Sequence, residues 1–187
     1  MIQVSAAASG LRGAWLLMRG DTKGIDLLDR GPDTAIHAFW AMPLCLPALV
    51  CLKLFDWRQA GVPANVPVAM GRYLLLFVVG WLLYVWISHR LATLLNRLPR
   101  WPLFLAVWSY TSVAGNTLIA LGALPRVLGA PAPVAQLAEI VVLGWALWVQ
   151  WFGIRLSLKV GALTATLLLV VDTVVGVAMA MAGGMAR

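Results

Sequence analysis

Seven acidic side chains are spread over 187 residues, and two of them, Glu139 and Asp172, fall inside long apolar runs. Asp172 is the only charge in the stretch VGALTATLLLVVDTVVGVAMAMAGG, residues 160–184. A carboxylate at bilayer depth costs roughly 2.5–3.5 kcal/mol on insertion scales, so such a group is expected to be protonated, paired or turned toward a polar interior. One basic residue, Arg72, also lies within an apolar run, and Asn116 adds an uncharged donor and acceptor to a third. Counted inward from the ends of their segments at about 1.5 Å per residue, Arg72, Asn116, Glu139 and Asp172 reach similar depth, so they are expected to form one intramembrane polar cluster. Arg72 can offset only one of the two acids, and one proton is expected to be held in the layer near neutral pH. Such a cluster has two uses: fixing helix register, or loading and releasing a proton or cation.

The elements that must position these groups follow from hydropathy. Hydrophobic residues make up 62% of the chain and charged residues 11%, well outside the range of a soluble domain. At about 30 Å of hydrocarbon and about 20 residues per crossing, five spans are predicted, near 35–55, 67–88, 101–124, 134–154 and 160–184. The predicted fold class is an all-α polytopic membrane helix bundle of five transmembrane helices, residues 34–187, preceded by an amphipathic interfacial helix within a cytoplasmic segment, residues 1–33. In that first segment Leu11, Trp15 and Met18 fall on one stripe, with Arg12, Arg19 and Lys23 off it. Pro43 and Pro47 predict a bend in the first span. In the last span Gly161, Ala165, Leu168, Asp172, Gly176 and Ala180 share a face. The small residues Gly161, Ala165, Gly176 and Ala180 make it the expected helix-packing side. Ser109, Ser112, Asn116 and Ala120 form a similar face in the third span, and Glu139, Ala146, Gln150 and Gly153 in the fourth.

Charge sets the expected orientation. Arg12, Arg19, Lys23, Arg30, Arg90, Arg97, Arg100, Arg155 and Lys159 share one side, against Lys53, Arg58, Arg126 and Arg187 on the other. Nine against four, with Arg72 inside a span, predicts a cytoplasmic N-terminus and a periplasmic C-terminus in a bacterial inner membrane. The net charge of +7 is explained by this asymmetry, and nucleic acid is not an expected partner. The expected partners are the lipid bilayer and other membrane protein subunits, or a second copy of the chain. Cys45 and Cys51 lack CxxC spacing, and His37 and His89 sit at span ends rather than at the depth a bis-histidine haem requires. No metal, cofactor or catalytic set is expected, since HExxH, GxSxG and Gly-rich phosphate loops are missing from the sequence. The first residues have no basic n-region ahead of an apolar one and are expected to stay in the mature protein.

Five closely spaced spans, a cytoplasmic N-terminal flank and short loops resemble the Yip1-like family of small multi-pass proteins, and five-span bacterial inner-membrane proteins of similar length. Asp29, Arg30, Gly31 and Pro32 match the acid and Gly-Pro of the motif that this family carries before its first span, without its tyrosine. The resemblance implies a non-enzymatic membrane adaptor or accessory subunit packing against a larger membrane partner. The alternative expectation is a small proton- or ion-coupled transporter or channel subunit working through the polar cluster.

Overall fold

The computed structural model describes residues 2–28 and 31–184, and every regular element among them is helical. In chain order they are α1 (Ile2–Met18), α2 (Gly24–Leu28), α3 (Thr34–Phe39), α4 (Ala41–Ala60), α5 (Val66–Leu94), α6 (Trp101–Gly122), α7 (Leu124–Val127), α8 (Ala132–Leu158) and α9 (Ala162–Gly184). Five helical segments are long and apolar enough to cross a membrane: Thr34–Ala60, Val66–Leu94, Leu98–Val127, Ala132–Leu158 and Ala162–Gly183. Arg30 and Arg187 of the charge count, and Asp29 of the Gly-Pro motif, lie outside the described residues.

Local chemistry sets the boundaries. The bend expected from Pro43 and Pro47 is concentrated where α3 stops at Phe39 and α4 restarts at Ala41. Pro43 has no N–H to return to the Phe39 carbonyl and its ring crowds that carbonyl, so the break falls one turn before it. Asn65 caps α5 by accepting from the Val68 N–H at 3.2 Å, with Pro67 in the first turn. Lys159, left-handed at φ 50°, turns α8 back into α9.

The N-terminal segment is not one helix but a hairpin. Gly20 takes φ +77° after α1, Asp21 Oδ1 accepts from the Lys23 N–H at 2.9 Å, and α2 folds back. A Cβ on Gly24 would lie 2.4 Å from the Gly13 carbonyl oxygen, so the two helices of the hairpin meet backbone to backbone. Against α6, Gly10 sits under the Tyr110 ring, and Ala14, Leu17 and Met18 are buried. Leu11 and Trp15, from the stripe read in the sequence, stay exposed beside that docked face, Trp15 at 57%. The end of α1 reaches α8 near its middle, where Trp145 Nε1 donates to the Met18 carbonyl at 3.1 Å.

Burial is uneven. Half of the apolar window of the α6 segment is buried, against 11% in α8 and in α9, which makes α6 the central post. The core around it lies toward the end of the bundle that carries the 95–97 and 159–161 connections. There Tyr84, Phe104, Leu105, Ile154, Leu158, Ala165 and Leu168 pack together.

Candidate functional site

Asp172 reaches the interior as its helical face requires. Its Oδ2 accepts from Trp108 Nε1 and from Gln150 Nε2, each at 3.1 Å, which ties α9 to α6 and α8 at one point. The Gln150 amide is itself held: Nε2 lies 3.3 Å from Ser112 Oγ and Oε1 lies 3.4 Å from the Thr111 hydroxyl. Ser112 Oγ donates to the Trp108 carbonyl at 2.8 Å, closing a small polar ring around the carboxylate. Both bonds fall on Oδ2; among the described residues no hydrogen bond reaches Oδ1 and no ion pair reaches Asp172. The charge is therefore met by two neutral dipoles, which favour it less than a cation does.

This differs from the four-member cluster expected from depth. Asn116 does share a space with Asp172, since both line the cavity described below. Glu139 is taken by Arg126, whose Nε donates to Oε1 at 2.6 Å and whose terminal nitrogen donates to Oε2. Arg126 belongs to α7, a short turn that folds over the start of α8 and brings its guanidinium closer to Glu139 than Arg72 is. Arg72 donates instead to the Ala182 carbonyl near the end of α9. Its long stem runs toward the helix ends, where an unpaired carbonyl is available, rather than to the middle of the bundle. Depth along a helix therefore does not group these residues: Glu139 and Arg72 find nearer partners in Arg126 and the Ala182 carbonyl, because depth carries no information about which neighbour is nearest around the helix.

The expected packing stripe of α9 is divided at Asp172. Ala165 (0% exposed) and Leu168 (3%) are buried, Tyr84 Oη donates to the Leu168 carbonyl at 3.3 Å, and Trp151 Nε1 donates to Thr166 Oγ1 at 3.1 Å. Gly161 at the very start is exposed, with open space where a Cβ would sit. Beyond Asp172 the helix leans on α5, where Met179 covers Gly80 and Gly183 meets Leu76. It parts from α8, and Gly176 and Ala180 face the gap.

The gap is a cavity of about 430 Å³ bounded by α5, α6, α8 and α9, with Leu49 of α4 at its edge. Asp172, Gln150, Ser112, Asn116 and Thr173 are its polar residues, and Tyr73, Phe77, Trp81 and Trp108 its aromatic walls. Leu143, Leu147 and Val177 are exposed at its rim, so it opens sideways between α8 and α9 through an apolar mouth. Trp81, 5% exposed, has a buried indole N–H with no partner among the described residues. Two of these groups, Gln150 and Trp108, were not picked out as site residues in the sequence. Gln150 stands on the polar face of its span, and Trp108 lies one turn before Ser112 on the polar face of the third.

Among the described residues no group of three or more His, Cys, Asp and Glu side chains converges on a point where a metal ion would sit. The His37 Nδ1 atom is buried without a partner among the described residues, while His89 is exposed and lies edge-on to Trp101. No protein-family model matches the chain, and neither a curated protein nor a solved structure shows significant similarity to it.

Proposed function

We propose that this chain is a small, non-enzymatic membrane transport subunit that takes up and releases a proton or another cation at Asp172. The observation that carries this reading is the carboxylate itself: it sits at the base of an intramembrane cavity and is held by two neutral donors rather than by a cation. A structural acid that only pins helices together has no need of the space beside it, whereas a carboxylate that exchanges its partner does. With the N-terminus cytoplasmic, as the asymmetry of basic residues favours, the cavity lies in the periplasmic half of a bacterial inner membrane. Reconstitution of the purified chain in vesicles with an internal pH dye tests this. An imposed gradient should collapse faster with the wild type than with Asp172→Asn, and Glu139→Gln should behave as wild type. Equal rates for wild type and a folded Asp172→Asn protein would overturn the proposal.

A second reading is the accessory subunit or adaptor that the Yip1-like resemblance implies. It is favoured by the scant burial of α8 and α9, 11% of each window, which leaves long apolar faces for a larger partner or a second copy. Acyl chains cover such faces equally well, so the cavity weighs more. Gentle solubilisation separates the two: stoichiometric co-migration with a larger membrane complex supports the adaptor, and a lone oligomer that moves protons supports transport.

A further inference from the structure

The cavity is much larger than a proton or a bare ion requires. Water occupies roughly 30 Å³ per molecule, whereas 430 Å³ lies within the range of about 300–1,000 Å³ typical of sites for organic ligands. Its mouth between α8 and α9 is lined by Leu143, Leu147 and Val177 and faces the side of the bundle, so whatever enters from there must tolerate hydrocarbon. Its deep end offers a carboxylate oxygen without a hydrogen-bond partner among the described residues, beside Trp108 and Trp81, whose ring centroids lie 5.4 Å apart. Indole faces attract cations, most strongly where water is excluded. Among the described residues no basic side chain lines the space, so an anion finds nothing there to offset it. A divalent metal ion would find one carboxylate where it needs about six oxygen ligands. The unpartnered Trp81 N–H adds a donor in the wall for an acceptor atom of the ligand.

We propose that this cavity binds an amphipathic organic cation, with the charged centre at Asp172 beside the Trp108 and Trp81 rings and the apolar body extending toward the mouth between α8 and α9. The inference rests on the transport reading above and names its cargo: a lipophilic cation and a proton compete for one carboxylate.

The test uses the full chain in nanodiscs of digalactosyl diacylglycerol, a neutral lipid without an amine, with empty discs subtracted. Tetraphenylphosphonium and tetraphenylborate are the probes, alike in shape and opposite in charge. The phosphonium should bind saturably and the borate should not. Asp172→Asn should weaken phosphonium binding by at least about tenfold, the loss expected when a buried charged partner is removed. Gly176→Leu places a side chain in the cavity while keeping the Asp172 carboxylate, and it should weaken binding similarly, which keeps the test decisive if Asp172→Asn fails to fold. Equal saturable binding of the two probes, or phosphonium binding unchanged in Gly176→Leu, overturns the proposal. Phosphonium that does not bind to a chain that still moves protons overturns this inference alone; phosphonium binding without any proton movement overturns the transport reading and keeps the site. Replacing part of the lipid with phosphatidylethanolamine distinguishes the source of the cation. Loss of phosphonium binding assigns the site to an amine-bearing headgroup, and unchanged binding assigns it to a free lipophilic cation.

Discussion

The two halves of α9 are built from similar residues and do opposite things. Before Asp172, Ala165 and Leu168 vanish into a core with Tyr84, Phe104 and Leu158. After it, Gly176 and Ala180, equally small, border empty space. Small residues permit close approach of helices but do not bring it about. In the first half the approach is enforced by the tight turn at Lys159, by the Trp151 bond to Thr166 and by large side chains from α5 and α6 that fill every gap. In the second half α9 follows α5, α8 follows α6, and nothing large enough bridges them. The carboxylate stands at the boundary, where its bonds to Trp108 and Gln150 tie α9 to α6 and to α8.

The contrast is broken most forcefully by removing a side chain from the closed half. Phe104→Ala, at a site 1% exposed whose ring lies 6.4 Å from that of Tyr84, should cost about 3 kcal/mol. Leu147→Ala at the cavity rim should cost less than about 0.5 kcal/mol. Unfolding midpoints in mixed detergent measure both, and similar losses would mean that the mouth is packed in the folded protein.

Two glycines of α8 sharpen the same point with one substitution. A Cβ at Gly153 would lie 2.7 Å from Val107 Cγ1, whereas at Gly144 it meets nothing within 4 Å. Gly153→Ala should therefore destabilise by about 1–3 kcal/mol as α6 and α8 are forced apart. Gly144→Ala should be neutral or stabilising by up to about 1 kcal/mol, since only helix propensity changes. Thermal unfolding of the two variants side by side reads the difference, and a destabilised Gly144→Ala would reveal a partner helix on that face.

At the boundary itself, Trp108→Phe keeps the ring and deletes the N–H that reaches Asp172 Oδ2. A loss of about 1.5–3 kcal/mol is expected for a hydrogen bond to a charged group and less if the carboxyl is protonated. Phenylalanine leaves the ring packing on Tyr84 and Trp81 largely in place.

These differences mark where sequence reasoning works. Five spans are legible because hydrocarbon thickness sets a length that few other structures satisfy, and Asp172 is legible as inward-facing because lipid would not tolerate it. The break at Phe39 follows from Pro43 alone. The hairpin of α1 and α2 was hidden because its cause, Gly20 with φ +77° and the meeting of Gly13 with Gly24, is a tertiary contact and not a periodicity. The cavity was hidden for the same reason: the sequence shows that α9 can approach other helices along its whole small face, and only the positions of α5 and α8 decide along which half it does.

The smallest expected effect bears on the grouping of the charges. Arg126 and Glu139 pair near one end of the bundle with side chains 39% and 34% exposed, so solvent and headgroups screen them. Removing the pair should cost no more than about 1 kcal/mol. If Asp172 acts apart from that pair, a cycle of Glu139→Gln and Asp172→Asn should be additive within about 0.5 kcal/mol, because the two sites share no partner. A coupling energy above that range would mean that Glu139 and Asp172 feel one another's charge. The boundary between the closed and open halves would then be a layer crossing the whole bundle, and proton uptake at Asp172 would have to be reassigned to both acids together.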